Sequence, residues 1–167
     1  VRLFHYFRSD DFFLLLLCPT DSALAGRFRG DSRLRTCEFP RFQVSWCLWR
    51  GRKVTNPLMI LANGLRLLKA VWVVWRQCRR EQIDIVLSTN DPSHFYSGPA
   101  ARLAGAKSVW WLSNMIPRTQ AWGMIYALFN IFRRMFCARI ICISQAVKDS
   151  LKNHANTGVV WYPTREL

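Results

Sequence analysis

From Phe12 to Cys18 the chain reads FFLLLLC, an unbroken apolar run behind two aspartates. A run this short and continuous suits a strand covered on both faces, as in a parallel sheet. Ahead of it, Val1–Arg8 reads as the last turns of an amphipathic helix. Asp21–Arg29 predicts a short helix capped by Thr20 or Asp21, and Leu34–Phe39 a second strand. Pro40–Pro57 reads as a long basic connection. Beyond it, Leu58, Leu61, Leu65, Leu68, Trp72 and Trp75 recur at spacings of three and four. That period predicts a helix from about Leu58 to Arg80, with Arg66, Lys69, Arg76 and Arg80 on the face opposite the apolar stripe.

The second half alternates more regularly. Ile83–Thr89 (IDIVLST) predicts a buried strand. Ser93–Ala104 predicts a helix opened by Asp91-Pro92-Ser93 and closed by Gly105. Lys107–Ser113 is a strand, Thr119–Cys137 an aromatic-rich helix and Arg139–Ile143 a strand. Ser144 caps a helix to about Asn153, and Val159–Tyr162 is a last short strand. Strand and helix in alternation imply an α/β, Rossmann-like parallel sheet with helices on both faces. Phe12–Cys18, Ile83–Thr89 and Arg139–Ile143 are expected to be its buried, central strands.

Composition narrows the reading. With 167 residues and 51% hydrophobic side chains, one domain with a real core is expected, and disorder is excluded. The net charge is +14, and residues 1–80 hold 15 of the basic against 5 of the acidic side chains. Such a field draws phosphate-bearing partners: anionic lipid, nucleic acid or a phosphorylated substrate. Trp46, Trp49, Arg50, Arg52 and Lys53 gather aromatic and basic groups in one stretch, the mixture that suits an anionic membrane surface. The one approach to a transmembrane span, Leu58–Trp75, is interrupted by Asn63, Arg66 and Lys69. The six cysteines form no CxxC pair and no zinc-ligand spacing, which points to a reduced, cytoplasmic compartment and no metal site.

In open parallel sheets, ligands bind beyond the carboxyl ends of the strands. Short polar side chains collect there: Pro19-Thr20-Asp21, Ser88-Thr89-Asn90-Asp91, Ser113-Asn114 and Ser144-Gln145. Any one of them serves equally as a helix cap or turn residue; the set favours a binding edge. Catalytic signals are sparse. Of the three histidines, only His94 adjoins a strand end, and no paired carboxylates, GxSxG, Walker A or complete GxGxxG occurs.

One stretch carries a family resemblance. IDIVLSTNDPSHFYSGPAARLAGAKSVWWLSNMIP resembles the amino-terminal domain of glycosyltransferase family 4. There a strand with a polar end leads to a helix closing on AARLAG, then to a strand with a VW-rich motif. ARIICISQAVKDSL looks like the family's next strand and helix, and VVWYPTREL like the strand before its hinge. CPTDSALAGRFRG resembles the family's second strand and following helix. The match is good from Asp84 to Leu167 and weaker, but in register, before Arg80.

The resemblance implies a GT-B architecture of two Rossmann-like domains. The amino-terminal domain takes the acceptor, a glycan or lipid-linked sugar. The carboxyl-terminal domain takes the nucleotide-sugar donor, and transfer retains the anomeric configuration. No further cofactor is implied. Carried over by position, Asn90, Ser93, His94, Asn114 and Ser144 would line the acceptor side. Many members carry His and Arg in the strand that here reads VWWLSN, at the positions of Trp111 and Ser113. The family's first strand and glycine-rich loop would precede Val1–Arg8, and the donor domain would follow Pro163. On that reading residues 1–167 are a fragment, inactive alone. The expected place is the cytoplasm, peripheral on the inner face of the membrane. Two other classes stay open: a non-catalytic, basic Rossmann-like module binding a membrane surface or a partner, and a nucleic-acid-binding domain, suggested by charge only.

Overall fold

The computed structural model describes residues 15–20, 22–27, 30, 34–37, 39–40, 42, 46–49, 52–55, 57–115, 124–151 and 156–160. The helix expected at Val1–Arg8, the start of the Phe12–Cys18 run and Arg50 lie outside the described residues. The chain divides into two compact units, Val1–Phe42 and Gln43–Leu167.

The first unit holds β1 (Leu16–Pro19), α1 (Ala23–Arg27) and β2 (Leu34–Cys37). The strands pair in parallel, from Leu16 opposite Leu34 to Pro19 opposite Cys37. Ser22 caps α1, its Oγ accepting from the Ala25 N–H at 3.2 Å. Strand, short helix and parallel strand follow the predicted order.

The second unit opens with a feature the hydrophobic pattern did not predict. Within the stretch read as a connection, β3 (Trp46–Trp49) and β4 (Arg52–Thr55) pair as an antiparallel hairpin. Four-residue strands are too short to display a period, and WCLW does not alternate.

The helix α2 (Pro57–Arg80) starts one residue from its predicted boundary, with proline at the first helical position, where no backbone donor is needed. Strand β5 (Ile85–Ser88) leads into α3 (Asp91–Ala104), then β6 (Lys107–Leu112), α4 (Met124–Phe136), β7 (Cys137–Cys142), α5 (Gln145–Asp149) and β8 (Thr157–Val159). Strands β5, β6, β7 and β8 form one parallel sheet in that order. Parallel strands alternating with helices make this an α/β, Rossmann-like fold.

Side-chain parity decides where the core lies. Ser88, Ser108, Trp110, Leu112, Ile140 and Cys142 occupy the same face of the sheet and are buried. Against them pack Tyr126 and Phe129 of α4 and Val147 and Leu151 of the α5 segment. The alternate positions fare differently: Ile85 is 59% and Leu87 41% exposed. One expectation is thereby corrected. Among the described residues, β5 pairs with β6 alone at the end of the four-stranded sheet and is not central there. Strand β7 sits between β6 and β8, as expected, and the deepest strand is β6, which carries Trp110. An apolar run records tolerance of burial; it does not record position in the strand order.

The basic side chains of α2 are not all opposite its apolar stripe. Ala70, Val74 and Cys78 point inward and are buried, and α2 packs along α3. The stripe of Leu61, Leu65, Leu68 and Trp72 lies on the other side of α2, 52% to 65% exposed. Lys69 follows Leu65 by four residues, and Arg76 follows Trp72 by four. Both basic side chains thus share the stripe's side of the helix.

A close approach fixes α3 against α4. A Cβ on Gly98 would stand 2.9 Å from Phe136 Cβ and 3.7 Å from Trp110 Cζ2. Gly-to-Ala in a helix interior ordinarily gains about 1 kcal/mol. Here the obstacle is the root of the Phe136 side chain, which cannot swing aside. Gly98→Ala is therefore expected to destabilise by about 1–2 kcal/mol, the range of core overpacking less the helix-propensity gain. Urea midpoints would register the reversal of sign.

Candidate functional site at the carboxyl edge of the sheet

Because β5 through β8 are parallel, their carboxyl ends share one edge, and the loops there come from consecutive strands. Asn90 and Ser93 follow β5. Asn90 is the N-cap of α3, in extended conformation, and its Oδ1 accepts from the Ser93 N–H at 2.9 Å. Ser93 Oγ accepts in return from the Asn90 N–H at 3.2 Å and donates to the Asn90 carbonyl at 2.7 Å. This reciprocal capping box consumes the Asn90 carbonyl groups and buries Ser93. The Asn90 side chain is exposed, and its amide NH2 has no partner among the described residues. Ser93 therefore serves the helix, whereas Asn90 retains a donor at the edge.

Asn114 follows β6 and is exposed, as is Ser113. It lies beyond the strand adjacent to β5, so both asparagines belong to neighbouring loops on one edge. Ser144 follows β7 and caps α5, its Oγ accepting from the Val147 N–H at 3.3 Å. Trp111 is half-buried.

His94 departs from the expectation of a residue at the rim. Its side chain is 1% exposed. Nδ1 lies 2.7 Å from Ser88 Oγ, and the ring stacks on Trp110 with centroids 5.0 Å apart and planes 16° from parallel. Which of Ser88 and His94 donates depends on the imidazole tautomer. Nε2 is buried without a partner among the described residues. Burial pushes the imidazole pKa down to about 4, so the ring is neutral near pH 7. A serine paired with histidine resembles a nucleophile and its base. With Ser88 also buried, the pair is closed to any substrate and works as a clamp between β5 and α3. Trp110 extends the clamp, donating from Nε1 to Ser108 Oγ at 3.1 Å.

Ser88 and Trp110 are the residues that a reading of isolated motifs passes over. Their signal is parity: Ser88, Ser108, Trp110 and Leu112 fall at every second position of adjacent strands. Burial pushes Cys78 and Cys137 up to about 11, which keeps both protonated. Among the described residues, no three His, Cys, Asp or Glu side chains come together as a metal site. The side chains of Trp46, Trp49, Arg52 and Lys53 lie outside the described residues, as Arg50 does altogether.

The parallel sheet, the polar carboxyl edge and the motif order all agree with one family. Its sequence model, Glycosyltransferase Family 4, matches residues 2–163. The chain belongs to glycosyltransferase family 4. A glycosyltransferase-type function follows from that membership. The family match covers both units, so β1, α1 and β2 are as much part of the glycosyltransferase domain as the four-stranded sheet. Comparison with curated proteins and with solved structures gives no match. Among the described residues, no helix of this glycosyltransferase domain is long and apolar enough to cross a membrane.

Proposed function

We propose that this chain is the acceptor-side half of a retaining sugar transferase, with a glycan or lipid-linked sugar as acceptor. Family membership over residues 2–163 carries this reading. The exposed amides of Asn90 and Asn114 on adjacent strand ends support it, since sugar hydroxyls call for short polar donors and acceptors on a firm frame. The reading leaves the donor nucleotide to a second, Rossmann-like domain, where basic groups would stabilise the leaving phosphate. Residues 1–167 alone are accordingly expected to release no nucleotide diphosphate in an acceptor-dependent way.

The test separates the two tasks of Asn90. In the intact parent enzyme, Asn90→Ala loses both the cap, worth about 1 kcal/mol of stability, and the free amide. Asn90→Ser keeps a capping oxygen and loses only the amide. Both variants are expected to raise the acceptor KM severalfold while leaving the donor KM unchanged. Acceptor kinetics that move in Asn90→Ala but not in Asn90→Ser would reduce Asn90 to a helix cap. Acceptor kinetics unchanged in both would remove it from the acceptor site.

A further inference from the structure

Thr89 and Asn90 alone separate the end of β5 at Ser88 from the start of α3 at Asp91. In so short a loop, the bearing of the Asn90 side chain is set by what holds the two ends. The capping box with Ser93 is one tie. His94 supplies two more. Its N–H donates to the Asn90 carbonyl at 3.2 Å, and its Nδ1 lies 2.7 Å from Ser88 Oγ. One residue thus holds the loop by its backbone at Asn90 and by its ring at the strand end.

The ring itself is set by the neighbouring strand. Ser88 and Trp110 are direct partners in the β5–β6 register. The imidazole meets both: it hydrogen-bonds the first and stacks on the second, with centroids 5.0 Å apart. Trp110 is fully buried and is fixed in turn by Ser108 and Phe129. His94 therefore ties the first turn of α3 to two adjacent strands, those from which the Asn90 and Asn114 loops leave. Packing alone does not call for a histidine here. An apolar ring would fill the same place on Trp110 without the desolvation that holds the imidazole pKa down at about 4. What the histidine adds is direction. A hydrogen bond fixes angle as well as distance, whereas apolar contact is non-directional.

We propose that His94 is a positioning residue for sugar transfer: with Ser88 and Trp110 it holds the β5–α3 loop so that the Asn90 amide keeps one bearing toward the acceptor. His94 touches no substrate itself. It acts through Asn90, and the inference rests on the reading of Asn90 as an acceptor contact. The leverage is large, because a group misplaced by about 1 Å can cost about 100-fold in rate. A contact built this way has its support in the core, where packing and hydrogen bonds lock the rotamers beneath it.

Two measurements test it. The first needs no acceptor: hydrogen–deuterium exchange of the full chain, read at the Asn90, Ser93 and His94 amides and at those of β7. In Ser88→Ala the loop amides are expected to exchange at least about tenfold faster relative to β7, the mark of local rather than global opening. Ser88→Thr keeps the hydroxyl and is expected to restore the protection. Equal acceleration of loop and β7 would make the pair a plain stabiliser and overturn the inference, as would no change in the loop. The second is steady-state kinetics of the intact parent enzyme with a polyprenyl diphosphate-linked monosaccharide as the acceptor probe. Ser88→Ala and His94→Phe are each expected to raise the acceptor KM severalfold and leave the donor KM unchanged. In an Asn90→Ser background, Ser88→Ala is expected to add nothing further, because the route through Asn90 is already lost. An undiminished effect in that background would overturn the inference. An acceptor KM that rises in Asn90→Ser but in neither Ser88→Ala nor His94→Phe would do the same and leave the acceptor reading intact. An acceptor KM unmoved by Asn90→Ser would remove the acceptor reading and this inference with it. Should His94→Phe fail to fold, Ser88→Ala, smaller by one hydroxyl, carries both measurements.

Discussion

Lowering the pH from 7 to 4 is expected to cost the fold about 3 kcal/mol through His94 alone, the equivalent of its shift from 6.5 to about 4. The direction follows from linkage. The buried ring resists its proton, whereas the unfolded chain accepts one at the ordinary value of 6.5. Between those two values the unfolded state holds more protons, so stability falls as pH falls. It is full above about 6.5 and reaches its lower plateau below about 4. Urea midpoints at several pH values in that window, for the parent and for His94→Phe, give the measurement. Phenylalanine can keep the stack on Trp110 but has no proton to take up, so its curve should be flatter. Its loss of the Ser88 hydrogen bond shifts the whole curve without changing its slope. Parallel curves would assign the acid sensitivity to other groups.

The largest single-site effect on stability is expected at Trp110. The indole is fully buried, stacked on His94, 5.1 Å from the Phe129 ring centroid and hydrogen-bonded to Ser108. Trp110→Ala removes these contacts and leaves a cavity that the sheet and α4 cannot close. A loss of about 3–5 kcal/mol is expected, measured by urea denaturation. Trp111→Ala, one residue on and half-buried, is expected to cost clearly less. The two large effects are coupled. Without Trp110 the His94 ring gains access to water and its pKa returns toward 6.5, so the double variant should fall short of additivity.

Much of the fold could be read from local signals. The end of α3 follows from Gly105, whose φ of 83° is a left-handed turn that glycine adopts without strain, whereas the sequence pattern opens α3 at Asp91-Pro92-Ser93 and the structure caps it one residue earlier, at Asn90. The glycine signal is local, and local physics suffices for it. What the sequence did not disclose depends on partners. The stripe on α2 is visible as a period, but a period does not say which side packs along α3. Packing along α3 favours close approach, and Ala70, Val74 and Cys78 are small enough to allow it. The β3–β4 hairpin fell below the length at which a period exists. At the candidate site, Asn90 and Asn114 were legible from strand ends. The burial of His94 was not, because it depends on Trp110 from a strand that only the folded sheet brings beneath it. The capping role of Ser93 was legible in outline, and the structure adds that it consumes the hydroxyl.

Helix α4 ends at Phe136 and strand β7 begins at Cys137, with no residue between them. Arg102 of α3 fastens the same corner, its Nη1 donating to the Met135 carbonyl at 2.7 Å. Such a junction has no slack to absorb a change in length. One inserted residue would either turn α4 by about 100°, carrying Phe129 away from Trp110, or exchange the inner and outer faces of β7 and bring Arg139 and Ile141 to the core positions of Ile140 and Cys142. Length variation is thus barred at residues 136–137, and a reading-frame-preserving insertion there should abolish folding where the same insertion in an exposed loop would pass unnoticed.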